Sequence, residues 1–264
     1  MTRAVLVLGA GDMGSAVAHA LHEADLAVAI VDDLAPAHPR RGMAFVDALW
    51  DGHVHLAGLD AVRVDASTAL AEQLDRRTAI AITALPMRDV LSAVTWHALV
   101  DARMRKRITP PDRRGLVPLS IGLGVGFVAG TNCDLAIETS WDALGQVVRD
   151  GATLPLRGEP RAIAGVGRER SVYAPVEGIV RTSLRIGDRV LAGDPVLDLH
   201  GAVLRAPLPG VLRGLVRDGV RVAAGAKVLE VDPRGQAELC FGLAERPRRV
   251  ALGVLAAIGG HSWL

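Results

Sequence analysis

Residues 173–199 and 205–231 are two copies of one pattern, and no other feature restricts the fold of this chain as tightly. Tyr173–Leu199 reads YAPVEGIVRTSLRIGDRVLAGDPVLDL and Arg205–Val231 reads RAPLPGVLRGLVRDGVRVAAGAKVLEV, an ungapped offset of 32 residues. Ala174, Pro175, Gly178, Gly187, Gly193 and Val196 are among the residues that recur. Each copy is A-P-x-x-G-x-(V/L) followed by G-x-x-V-x-x-G-x-x-(V/L), which predicts short strands separated by turns. Neither copy can bury its apolar face alone, so the two must pair about a pseudo-twofold into one small closed β structure.

The repeat resembles the biotinyl/lipoyl carrier domain, a flattened barrel (a barrel-sandwich hybrid) built from two related halves. In such carriers a lysine at the hairpin joining the halves bears the prosthetic group. Here the joint reads Leu199-His200-Gly201-Ala202-Val203, and the domain's one lysine, Lys227, aligns with Pro195 inside the repeat. The resemblance therefore implies the shape without attached biotin or lipoate.

The other strong signal lies at the start. Ala4–Leu8 is an unbroken apolar run, the pattern of a strand buried on both faces. It enters Gly9, Gly11 and Gly14, spaced G-x-G-x-x-G, and then the helix-forming run Ser15–Leu21. Strand, glycine turn and helix in succession is the context of a dinucleotide fingerprint. Gly9 allows the tight turn, Gly11 backbone approach to a ligand, and Gly14 close helix–strand packing. The unpaired first amides of the helix attract phosphate. A second apolar run, Leu26–Val31, ends in Asp32, placed to accept from a ribose hydroxyl. The competing reading is a glycine turn that packs well and binds nothing.

Further β-α alternation follows: a helix over Met43–Trp50, a strand over Ala61–Val64, and a helix over Ser67–Leu74 with Ser67 as N-cap. A strand over Thr78–Ala84, a long helix over Arg88–Met104 and a strand over Leu116–Ile121 come next. This alternation predicts a doubly wound parallel sheet. Arg103, Arg105, Lys106, Arg107, Arg113 and Arg114 cluster after the long helix, either as a solvated helix end or as a phosphate contact. His53 and His55 lie at i and i+2 in an excursion read as an exposed hairpin in preference to a metal site. A second glycine cluster, Gly122, Gly124, Gly126 and Gly130, implies backbone close to a ligand, with Asn132, Asp134, Glu138 and Thr139 adding polar groups. A purely structural loop is the alternative.

The expected organisation is an α/β chain in three parts. Residues 1–160 form a Rossmann-like nucleotide- or cofactor-binding domain, 161–235 the repeat domain, and 236–264 a closing segment with a strand at Leu239–Leu243 and a helix at Val250–Ile258. A net charge of +1 gives no bulk attraction to nucleic acid or anionic membrane. No apolar run reaches membrane-spanning length, and the start of the chain shows no signal-peptide pattern, so a cytoplasmic location is expected. Cys133 and Cys240 lack metal-site spacing and read as reduced, buried thiols.

Taken from end to end, the chain resembles the accessory proteins of selenium-dependent molybdenum hydroxylases (YqeB type), related to the xanthine dehydrogenase accessory (XdhC/CoxI) group. The matching stretches are G-A-G-D-M-G at 9–14, the Arg40-Arg41 pair, Asp101-Ala102 with Lys106-Arg107, and G-L-G-V-G-F-V-A-G at 122–130. Asp134 with A-I-E-T at 136–139, D-G-A-T-L-P at 150–155, the A-P-x-x-G repeats and D-P-R-G at 232–235 complete the set. The family has Rossmann-type and barrel domains and is implicated in maturing molybdenum hydroxylases. The resemblance thus implies an apo-hydroxylase as partner, with a homodimer as a further possibility. It implies either NAD or molybdenum cofactor as ligand, held by Gly9, Gly11, Asp12, Met13, Gly14, Asp32, Arg40, Arg41, Gly124, Gly126 and Gly130. Two departures bear on chemistry: Val125 stands where the family tends to proline, and Trp141-Asp142 where it tends to a G-H pair. Catalytic residues are unassigned. The alternatives are an NAD-dependent oxidoreductase with a structural β domain and a non-catalytic nucleotide sensor.

Overall fold

The computed structural model describes residues 3–105, 108–155 and 160–261. The chain divides into two units, one drawn from residues 1–34, 44–156 and 243–264, the other from 35–43 and 157–242. It is a mixed α/β protein.

The first unit is built on a nine-stranded sheet. Its strands are β1 (Ala4–Leu8), β2 (Ala27–Val31), β3 (His53–Leu56), β4 (Leu59–Arg63), β5 (Ile80–Thr83), β6 (Trp96–Asp101), β7 (Leu119–Leu123), β9 (Leu135–Ile137) and β10 (Val147–Val148). A separate pair joins β8 (Val128–Ala129) and β11 (Gly151–Ala152). The order across the large sheet is β10-β9-β7-β6-β1-β2-β5-β4-β3. Every pairing from β4 to β9 is parallel, and β3 and β10 close the two edges antiparallel. The apolar run of β1 is buried on both faces because alternate residues enter different cores. Val5 and Val7 pack with α1 (Asp12–Glu23) and α5 (Glu245–Gly259), whereas Ala4, Leu6 and Leu8 join residues of α3 (Ser67–Arg76) and α4 (Met87–Ala93). The closing helix α5 packs along α1.

Several expectations need correction. The long helix over Arg88–Met104 does not exist: α4 stops at Ala93, and Trp96–Asp101 is the central strand β6. Val94 is already extended, and β-branched Val94-Thr95 separates the two elements; short apolar runs fit either period. Arg103 consequently leaves the carboxyl end of a strand, and Lys106 and Arg107 lie outside the described residues. Met43–Trp50 is helical only in α2 (Ala48–Asp51), after a 3-10 turn at Arg41–Met43. The α3 N-cap is Ala66, and the Ser67 hydroxyl instead donates to the Asp89 carbonyl. Leu239–Leu243 forms no strand; a 3-10 turn covers Ala237–Cys240.

The second unit carries the repeat. Its strands are β12 (Ser171–Tyr173), β13 (Gly178–Arg181), β14 (Arg189–Val190), β15 (Pro195–Leu199), β16 (Ala202–Arg205), β17 (Gly210–Leu215), β18 (Arg221–Val222) and β19 (Lys227–Asp232). They form two four-stranded sheets, β12-β19-β17-β14 and β16-β15-β13-β18. Exchanging each strand for its repeat equivalent converts one order into the other, so each sheet contains strands of both copies. The 32-residue offset is met by the first residues of β13 and β17, of β14 and β18, and of β15 and β19. Gly187 and Gly219 occupy the same turn of each copy at φ +92° and +80°, where an L side chain is strained. The joint between copies is a tight hairpin at His200 and Gly201, both with positive φ.

Candidate functional site

The strand order places β1 at a reversal. From β1 the chain builds outward through β2 and β5 on one side, and through β6, β7 and β9 on the other. Ligands of open parallel sheets bind outside the carboxyl ends of the strands at such a point. Here that edge lies between Leu8 and Asp101, which are partners in register.

The glycine turn is locked by its own backbone. Gly9 has φ +103° and donates its amide to Val31 at 2.8 Å. A Cβ on Gly14 would stand 1.9 Å from the Gly9 carbonyl oxygen, so helix and turn touch only because this residue lacks a side chain. Gly11 is the N-cap of α1, with no side-chain cap bond. Ser15, fully buried, donates to the Ala10 carbonyl at 3.0 Å and accepts the Phe45 amide at 2.8 Å. Sequence reasoning passed over Ser15, whose only signal is a hydroxyl in the first turns of the helix.

Three carboxylates and two guanidiniums surround this turn. Asp32, one residue beyond β2, accepts the Ala10 amide at 2.6 Å and the Asp33 amide at 2.8 Å. The Asp12 carboxylate accepts the Met13 amide at 3.1 Å, and the Met13 side chain is buried. Asp101, 2% exposed, is gripped by Arg103 through Nε on Oδ1 at 2.9 Å and through Nη2 on Oδ2, and Arg113 Nε stands 3.5 Å from the same Oδ2. Arg103 lies directly on the turn: a Cβ on Gly9 would be 3.0 Å from Arg103 Cγ and 3.1 Å from its Cα. Burial alone lowers the Arg103 guanidinium, but Asp101, with Asp32 and Asp33 beyond it, holds it above its ordinary value. Burial and the neighbouring Arg103 charge push Arg113 down. Among the described residues of the sequence cluster, Arg103 and Arg113 meet at Asp101 on this edge.

The second glycine loop is occupied with its own architecture. Gly124 has φ +73°, and a Cβ there would stand 2.4 Å from Thr139 Oγ1; one on Gly126 would meet Pro110 Cδ at 2.9 Å. Gly130 faces open space. Asn132 accepts the Val128 amide and donates to the Gly126 carbonyl, both at 2.9 Å. Glu138, buried, accepts the amides of Thr139, Ser140 and Leu154 at 2.6 Å each. Asp134 accepts the Ser120 amide and hydroxyl. The polar groups expected near a ligand are committed to the loop itself.

The remaining sequence candidates have partners of their own. Arg40 makes a two-point contact with Glu230, and Arg41 donates to the Leu215 carbonyl; both belong to the second unit. His53 and His55 lie on the β3–β4 hairpin, 3.1 and 2.8 Å from Asp60. Among the described residues no group of three or more His, Cys, Asp or Glu is placed to hold a metal ion. His97, which in sequence is the one histidine between His55 and His200 available for proton transfer in an oxidoreductase, lies on β6, not a helix, with Nδ1 accepting the Ala4 amide at the amino end of β1. Lys227 is on β19, away from the His200–Gly201 hairpin, and donates to Glu230. No helix of the described residues is long and apolar enough to cross a membrane.

The fold and this edge define a mixed α/β chain with a large, mainly parallel sheet and smaller antiparallel sheets. It is similar to the uncharacterized protein YqeB of Escherichia coli (strain K12), 34% identical over 257 residues that cover 96% of this chain and 47% of that protein. The chain thus spans about half the length of the curated relative it matches. A protein assigned to the succinylglutamate desuccinylase/aspartoacylase family from Shewanella amazonensis SB2B aligns at 16% identity over 89% of this chain and 91% of that one, with a TM-score of 0.25. No family model matches.

Proposed function

We propose that the chain is an accessory protein in molybdenum hydroxylase maturation, and that its first unit is a Rossmann-like domain holding a phosphate-bearing cofactor. Six strands of the parallel run, β5-β2-β1-β6-β7-β9, match the 3-2-1-4-5-6 order of dinucleotide-binding sheets, with β4 as an additional parallel strand beyond β5, and this supports the domain reading. One observation carries the ligand: Arg103, backed by Arg113, rests against Gly9 where the strand order reverses. A phosphate entering beside the first turn of α1 meets a guanidinium and a helix N-terminus together. Asp101 is the local counter-charge that holds Arg103 in place until then. The second unit serves as a scaffold of the biotinyl/lipoyl-like kind, without an attachment lysine at its hairpin, and docks a partner or a second copy.

NAD as ligand, in an oxidoreductase, is favoured by one observation, an acidic residue, Asp32, just beyond the carboxyl end of β2, where dinucleotide-binding sheets carry their ribose-binding acid. Against turnover, His97 stands at the opposite edge of the sheet from Gly9.

Binding of NAD, NADP, ADP and molybdenum cofactor measured side by side separates the readings. Molybdenum cofactor binding, with transfer to an apo-hydroxylase, supports maturation; tight NAD binding with hydride transfer to a substrate overturns it.

A further inference from the structure

The repeat is not exact, and several of its departures meet at one cavity of the second unit. This cavity, of about 350 Å³, is lined among others by Arg189, Leu191, Asp194, Pro209, Pro233 and Gly235. The pseudo-twofold relates it to a second place in the same unit. β14 pairs with β17 in the register in which β18 pairs with β13, so Arg189 faces Val211 as Arg221, 32 residues on, faces Ile179. At that second place the Arg221 guanidinium donates to the Glu177 carboxylate at 2.6 Å. The residue that corresponds to Glu177 beside Arg189 is Pro209, which offers no carboxylate. Arg189 instead lines the cavity, with its Nη1 3.8 Å from where a Cβ on Gly235 would stand. Two more departures complete the lining: Asp194 stands where the other copy has Ala226, and Leu191 where it has Ala223. Asp194 Oδ2 accepts the Leu191 amide at 2.7 Å, and the amide and carbonyl of Gly193 are held by Ala206 and Arg205 at 2.9 Å each. The turn that carries both side chains is therefore fixed before anything binds. Leu191 is 69% exposed, the highest value of any large apolar side chain among the described residues.

We propose that this cavity docks an extended segment of a partner protein in which one acidic residue is flanked by apolar ones. The partner's carboxylate takes the place at Arg189 that Glu177 takes at Arg221, with the two-point fit that a guanidinium offers. Asp194, through Oδ1, accepts a main-chain amide of the segment. Its negative charge also disfavours a run of acidic residues, so a single carboxylate is specified. The flanking apolar side chains cover Leu191, Pro209 and Pro233. The inference rests on the docking role proposed for the second unit and names the surface that performs it. It is independent of the cofactor reading of the first unit.

The probe is a capped peptide A-P-V-E-G-I-V, which copies residues 174–180 and so carries the carboxylate that faces Arg221. Leucine-methyl NMR of the full chain, with the Leu191 signal assigned through Leu191→Met, follows its binding. The expected result is a saturable Leu191 shift. Binding is about fivefold weaker when the peptide carries Gln for Glu, and about fivefold weaker to Arg189→Gln. Pro209→Glu supplies the carboxylate from within the chain and weakens the peptide to the same extent. No shift, or equal binding by both peptides, or equal binding by wild type and Arg189→Gln, overturns the proposal. N-acetylglutamate binding as tightly as the peptide also overturns it, in favour of a small carboxylate. A Leu191 shift that follows protein concentration alone overturns it in favour of a second copy. An apo-hydroxylase that binds wild type and Arg189→Gln equally overturns it while leaving the docking role of the second unit standing.

Discussion

The carbonyl oxygen of Gly9 lies 1.9 Å from where a Cβ on Gly14 would stand. The contact is backbone to backbone across the turn, so no side-chain movement can relieve it. Gly14→Ala therefore forces the first turn of α1 away from β1 and costs on the order of 3 kcal/mol. Urea denaturation of the ligand-free protein reads this directly. Wild-type stability in the variant contradicts the packing.

Substitution of Arg103 tests ligand binding at the turn. Arg103→Ala removes the guanidinium beside Gly9 and weakens any phosphate-bearing ligand by about 10- to 100-fold. Arg103→Lys keeps a charge but loses the planar fork, so it recovers part of that loss. Titration of both variants with the ligand that wild type binds checks the order wild type, Lys, Ala.

Glu230 sets acid stability. Burial opposes its ionisation, but Arg40, Lys227 and Arg170 hold it well below the ordinary carboxylate range. The unfolded carboxyl binds protons that the folded one does not, so this stability is complete above about pH 4.5 and is lost as pH falls. Glu230→Gln removes the carboxylate charge facing buried Arg170 and costs about 3–5 kcal/mol at neutral pH. Its denaturation midpoint also depends less on pH over the acid range. An acid profile parallel to wild type contradicts the assignment.

Cys133 and Cys240 are buried, and burial pushes both thiols up to about 11. Thiolate is the reacting species, so both alkylate on the order of 100-fold slower than a free thiol at neutral pH. Mass spectrometry after a timed iodoacetamide pulse follows each cysteine, and rapid labelling of either contradicts its placement.

The elements read correctly from sequence are those whose signal is local and redundant. The repeat specified its own strands, since one offset had to satisfy every turn glycine, and β1–turn–α1 carried both an apolar run and glycine spacing. β6 is not legible in the sequence because Trp96–Asp101 is short and largely apolar, and only its pairing between β1 and β7 makes it a strand. Sequence therefore assigns Arg103 to a helix end, whereas the sheet delivers it to Gly9. Arg40 shows the other limit: its partner Glu230 lies 190 positions away, and no local pattern announces the contact. Asn132, Asp134 and Glu138 looked like ligand groups because sequence gives their polarity but not the backbone amides they accept.

The central claim is that the turn beside Arg103 holds a phosphate-bearing cofactor. Its most direct test is calorimetric titration of wild type, Gly11→Leu and Arg103→Ala with NAD, ADP and molybdenum cofactor. The account predicts that wild type binds at least one of them, that Gly11→Leu abolishes that binding, and that Arg103→Ala weakens it at least tenfold. No binding by wild type, or equal binding by all three proteins, contradicts it.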